Sequence, residues 1–107
     1  MDLNKGMAGL VLHEKPAGVL LSLKGSKGKY ASILAKETNC TYTHILKVLN
    51  QLRDYGVVTF KKQGRTKIVE LTDEGIDIAH ELEGLVRRLE KASKEKTEEE
   101  LEITQEQ

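Results

Sequence analysis

Between Thr43 and Tyr55 the apolar residues Ile45, Val48, Leu49 and Leu52 fall at i, i+3, i+4 and i+7, the spacing that gathers one stripe on a single face of a helix. That stripe must pack inward. The opposite face carries Thr43, His44, Lys47, Asn50 and Gln51, all able to hydrogen-bond, and no acid appears before Asp54. Just upstream, Tyr30, Ile33, Leu34 and Ala35 predict a shorter helix ending at Glu37, and Thr38 to Thr41 break it. Asn39 can hold a left-handed conformation at a helix end, and Thr41 or Thr43 can cap the helix that follows. Two short helices joined by a four-residue turn result.

The flanking segments complete the pattern. Val19, Leu20, Leu21 and Leu23 predict an apolar helix up to Lys24, with Pro16 in its first turn, where the missing N–H costs nothing. Residues 1–12 mix Gly6 and Gly9 with Leu3, Met7, Leu10, Val11 and Leu12, a short apolar arm or helix that covers the domain or a partner chain. Gly25 to Lys29 reads as a flexible turn. Beyond Gly56, well suited to the position just past a helix end, the period changes: Val57 to Phe60 and Thr66 to Leu71 are rich in β-branched residues and flank Gly64, which predicts a β-hairpin. Thr72 then caps a last helix whose first turn holds Asp73 and Glu74, favourable at the positive end of its dipole. That helix is expected to run from about Asp73 into the low nineties. Ile78, Leu82, Leu85, Leu89 and Ala92 recur along it at steps of 4, 3, 4 and 3, a heptad seam that predicts dimerisation, while Ala79 and Val86 widen the stripe toward the domain itself. The domain is expected over residues 1–92, with a charged, disordered tail over 93–107.

Composition changes this picture in one respect. The net charge of zero divides into 12 Lys/Arg against 5 Asp/Glu over residues 1–70, a balance of +7, and 5 against 12 over residues 71–107, a balance of −7. A basic half of this size is the electrostatic footprint of a nucleic-acid binder. It is sharpest in the hairpin, where Lys61, Lys62, Arg65 and Lys67 surround the turn. The apolar runs are too short to span a membrane, and residues 1–12 lack the apolar core of a secretory signal, so the expected location is the cytoplasm with no membrane partner. A single cysteine, Cys40, excludes an internal disulfide framework and a cysteine-rich metal site.

The order helix, helix, turn, helix, hairpin, helix resembles a winged helix-turn-helix, and its local words resemble the MarR and ArsR families of transcription regulators. The likeness is strongest over Ile33 to Ala79: ILAKETNCTYTHILKVLNQLRDYGVV resembles a helix, a Ser/Thr-rich turn, a recognition helix and a Leu-x-x-x-Gly exit at Leu52 to Gly56. GRTKIVELTDEG resembles the wing's second strand and the Leu-Thr-x-x-Gly entry to a dimerisation helix. The fold class implied is mainly α with a β-hairpin wing (α+β) and a C-terminal dimerisation helix. By position, the family's base-reading face falls on Thr41, Thr43, His44 and Lys47 and its wing-tip arginine on Arg65. The long first helix of typical MarR proteins is missing, which removes the basis for carrying over their dimer architecture and ligand pocket.

The function implied is sequence-specific binding of double-stranded DNA by a homodimer, with the recognition helix in the major groove and the wing on the backbone or minor groove. Its site residues would be Thr41, Tyr42, Thr43, His44, Lys47, Gln51, Lys61, Lys62, Arg65 and Lys67, and its dimer contacts Ile78, Leu82, Leu85 and Leu89. A winged helix that holds a protein assembly together is the alternative, since the fold alone does not choose between them. Tyr42 would stack on a sugar or touch a phosphate, while Tyr30 and Tyr55 pack at the edges of the core. Cys40 is either a small residue filling the turn or, at a helix start, a redox-sensitive thiol. Nothing assembles a nucleophile, base and orienting group, His13 and His80 lack partners at metal-ligand spacing, and GSKGK lacks full P-loop spacing. The expectation is a non-enzyme with no cofactor and no metal.

Overall fold

The computed structural model describes residues 1–105, with side chains through Lys96. Five helices, α1 (Gly6–Val11), α2 (Glu14–Leu23), α3 (Ala31–Glu37), α4 (Tyr42–Asp54) and α5 (Asp73–Gln105), alternate with strands β1 (Lys29–Tyr30), β2 (Val58–Gln63) and β3 (Thr66–Leu71). The strands form an antiparallel sheet in the order β1-β3-β2. All four residues of the α4 stripe are buried, against Val19, Leu20 and Leu23 of α2, Leu34 of α3 and Val58 and Val69 of the hairpin. The arm is helical: Gly9 and Val11 are buried, and Met7 and Leu10 pack on the core, while Leu3 and Leu12 stay exposed.

Two helix ends share one device that sets the angle of α4. At the end of α3, Asn39 has φ 53°, its N–H donates to the Lys36 carbonyl, and the Cys40 N–H donates to the Ala35 carbonyl at 2.8 Å. At the end of α4, Gly56 has φ 77°, with Gly56 N–H to Arg53 and Val57 N–H to Leu52. Both are Schellman motifs, in which a left-handed residue lets the next two amides satisfy carbonyls the helix leaves open. Cys40 half-buries its side chain against the core, the apolar contact that accompanies the motif. From α2, the Lys15 ammonium donates to the Thr38 and Asn39 carbonyls at 2.7 and 2.9 Å, and Thr41 accepts from His44 N–H to cap α4.

The entry to α5 is built on close approach. Thr72 Oγ1 donates to the Gly56 carbonyl at 2.6 Å and accepts from Gly75 N–H at 3.1 Å, and Thr72 N–H donates to the Val57 carbonyl. A Cβ on Gly75 would lie 2.0 Å from that same Val57 oxygen. The Leu-Thr-x-x-Gly word is thus a threonine clamp followed by the one residue small enough for the helix to pass the α4 exit.

Several elements depart from the sequence reading. Lys29–Tyr30, expected at the junction of a flexible turn and a helix, pair with Val69 and Ile68 as a third strand. Two residues are too few to show a period of two. The first strand of the hairpin starts at Val58 rather than Val57, whose carbonyl serves the Thr72 clamp. The last helix continues well past the low nineties to Gln105, through the stretch read as tail, because Lys, Glu and Leu propagate a helix that packing has already nucleated. The heptad seam divides: Leu82 is only 8% exposed and belongs to the domain's own core beside Ala79, with Ile78 and Val86 packed against it, whereas Leu85 and Leu89 are 47% and 59% exposed. Leu82, expected as a dimer contact, is therefore a core residue of this chain, and Ile78 is half-buried against the same core. Ile33, Tyr30 and Tyr55 are partly exposed, at 40%, 42% and 44%.

Candidate nucleic-acid interface

With its apolar stripe turned inward, α4 presents Tyr42, Thr43, His44, Lys47, Asn50 and Gln51 to solvent along one side. Thr41 is exposed too, its hydroxyl oxygen occupied by the cap. The hairpin stands beside this helix. Gly64 has φ 60° and Arg65 does not have positive φ, so the two-residue loop is a type II′ turn whose twist suits the strands and carries Arg65 at the tip. Phe60 fixes the hairpin to the helix: the Arg53 guanidinium of α4 lies 5.1 Å from its ring centroid and the Lys67 ammonium 5.8 Å.

The cations differ in what holds them. Lys24 pairs with Glu83 at 2.9 Å, Lys29 with Glu37 at 2.9 Å, and Lys61 with Glu70 at 3.0 Å. Lys61 pairs while still largely exposed, because alternation along β2 turns it to the opposite face of the hairpin from Phe60, where Glu70 lies. Lys47, Lys62 and Arg65 are exposed and have no carboxylate partner among the described residues. Lys62 and Lys67 stand directly opposite each other across the hairpin. Like charges in that position are unfavourable in isolation, and an anion between or over them reverses the sign.

Helix and hairpin enclose an open groove of about 440 Å³, floored by Leu46, Leu49 and Phe60 and rimmed by Tyr42, Asn50, Arg65 and Lys67. A second concavity, of about 510 Å³, separates α4 from the α1–α2 junction and is lined by His13, His44, Gln51 and Tyr55 among others. The structure therefore places His44 and Gln51 on the α2 flank of the helix, Tyr42 on the hairpin flank, and Thr43 and Lys47 between them. Sequence reasoning passed over Leu46 and Tyr30 as members of this surface; Leu46 lies outside the apolar stripe, and that misplacement is the signal that could have marked it. Among the described residues, no three His, Cys, Asp or Glu side chains gather as metal ligands, and no helix is long and apolar enough to cross a membrane.

Residues 15–75, which include α2 to the first turn of α5, match the sequence profile of the winged helix DNA-binding domain. The chain belongs to that family. A protein of Archaeoglobus fulgidus whose function is uncharacterised is 25% identical over 81 residues, 72% of this chain and 85% of that protein. A MarR family transcriptional regulator from Silicibacter pomeroyi superposes with a TM-score of 0.71 at 25% identity, over 78% of this chain and 61% of its own. A crystal structure from Archaeoglobus fulgidus shares the fold at TM-score 0.69 and 24% identity, over 79% of this chain and 98% of its own. In winged-helix terms, α3 and α4 are the helix-turn-helix and the β2–β3 hairpin is the wing.

Proposed function

We propose that this winged helix is a transcription regulator that binds double-stranded DNA sequence-specifically as a homodimer, with α4 in the major groove and the wing along the backbone or adjacent minor groove. The observation that carries the reading is the grouping of Lys47, Lys62 and Arg65, exposed and without carboxylate partners among the described residues, on the side of the molecule where α4 also exposes its hydrogen-bonding residues. Lys24, Lys29 and, on the other face of the wing, Lys61 pair with glutamates. Cations left unpaired beside uncharged donors and acceptors suit phosphates flanking base edges. Thr43, Lys47 and Asn50 occupy the centre of the reading face, with His44 and Gln51 on one flank. The homodimer is supported by Leu85 and Leu89, apolar and exposed beside the face of α5 that packs on the domain core. Two recognition helices about 34 Å apart would then meet half-sites one turn of DNA apart.

The test is fluorescence anisotropy with duplexes selected from a random pool, at two salt concentrations. Arg65→Ala should weaken binding to every duplex and lower the salt slope by roughly one unit. Lys47→Ala should do the same if it meets a phosphate, or cost about 1–3 kcal/mol at one base pair if it meets a base. Wild-type binding that neither substitution alters would refute this placement of the interface.

A further inference from the structure

On the proposed DNA-reading helix one side chain is of the wrong kind for a solvated surface. Leu46 is 38% exposed, outside the Ile45, Val48, Leu49 and Leu52 stripe, and it floors the groove between α4 and the wing. Around it stand groups suited to a nucleic-acid strand: the Arg65 and Lys67 cations, the Asn50 amide and the exposed Tyr42 ring. The groove is open, so a ligand reaching Leu46 comes from the same side as one reaching Asn50 and Arg65. Within the major groove the bases offer one apolar group, the 5-methyl of thymine, and an aliphatic side chain there discriminates thymine from the bases that lack it.

We infer that Leu46 is a specificity-determining residue that reads a thymine methyl in each half-site, with Tyr42 and Phe60 shielding the contact from water. This rests on the DNA-binding reading above. Phosphate contacts place the strand and carry no sequence information, whereas contact with Leu46 depends on one methyl group. Leu46 therefore adds a preference that phosphate contacts do not supply.

The experiment replaces each thymine of a selected duplex, one at a time, with deoxyuridine, which removes the methyl and leaves pairing unchanged. Wild type should lose about fourfold in affinity at one thymine per half-site, the worth of one buried methyl-sized group, and bind the other replacements nearly unchanged. Leu46→Ala should bind thymine and uracil duplexes equally at that position. Leu46→Gln, which keeps the length and removes the apolar end, should also lose the preference, and a thermal melt of each variant shows that it is folded. If wild type binds the duplex but ignores every uracil, or if both folded variants keep the wild-type ratio, Leu46 does not read the methyl and the DNA-binding reading survives. A wild type that binds no duplex from the pool overturns both.

Discussion

At the scale of single residues, two glycines in α5 make opposite predictions. Gly75 sits where a Cβ would lie 2.0 Å from the Val57 carbonyl oxygen, a backbone atom that itself receives the Thr72 amide. Gly75→Ala must push α5 away from the α4 exit. It should destabilise by about 1–3 kcal/mol, the usual cost of overpacking a tight site. Gly84 is helical, and a methyl group added to it would meet nothing within 4 Å. Gly84→Ala should therefore stabilise by about 0.5–1 kcal/mol, because only the unfolded chain's freedom changes. Urea unfolding of the pair measures both, and equal shifts would refute the account of the clamp. Cys40 belongs at this scale too. Its backbone closes the α3 motif and its side chain half-buries, so Cys40→Ser should leave DNA affinity within about twofold of wild type. A mild peroxide treatment that abolishes binding in wild type and not in Cys40→Ser would establish the thiol as a switch.

The element scale concerns what aims α4. Its entry depends on Asn39 at positive φ and on Lys15, which reaches from α2 to the Thr38 and Asn39 carbonyls just past α3. A β-branched residue tolerates the left-handed region poorly, so Asn39→Val should cost about 1–2 kcal/mol, whereas Asn39→Gly should be close to neutral. Lys15→Met keeps the stem and removes the ammonium, leaving two carbonyls to water. If this clamp orients α4, that variant loses DNA affinity more than its melting temperature predicts. The legible part of the site follows the same division. The polar face of α4 was visible in the sequence because helical spacing alone separates it from the stripe. That Lys61 is paired, and that Leu46 joins the groove, depends on which element lies across from each.

For the whole molecule, the long α5 decides assembly. Leu82 is buried in this chain's core, so changing it to Lys would unfold the protein and say nothing of a dimer. Leu85→Lys with Leu89→Lys tests the exposed pair instead. Sedimentation equilibrium should show a wild-type dimer at micromolar concentration and a folded monomer for the double variant; a wild type already monomeric would sink the proposal. The same helix is tied to the domain by Glu83, which meets Lys24 of α2 at 2.9 Å and also bonds Arg87. The hydrogen bond from Lys24 leads the effects that hold the Glu83 carboxyl below the usual carboxylate range. Because the folded value is depressed, this contact contributes stability above the ordinary carboxylate pKa, and the contribution fades as pH falls through the folded value. Melting temperatures of wild type and Glu83→Gln should therefore differ at pH 7 and converge toward pH 3.

What the sequence by itself determined is everything governed by near neighbours. The α4 stripe, the left-handed turn at Asn39, the Thr41 and Thr72 caps and the wing turn at Gly64 all rest on spacing, propensity or backbone sterics within a few residues. The winged helix-turn-helix follows from their order. Only the tertiary structure decided the rest. It drew Leu82 into the core and left Leu85 and Leu89 outside, although all three share one heptad pattern, because the domain meets the face of α5 that carries Ala79, Leu82 and Val86, and Leu85 and Leu89 lie to one side of it. It matched Lys61 with Glu70 while Lys62 and Lys67 faced each other, because strand register sets cross-strand neighbours. It made a strand of Lys29–Tyr30 because β3 offered a free edge to pair with, a partner that lies about forty residues away along the chain.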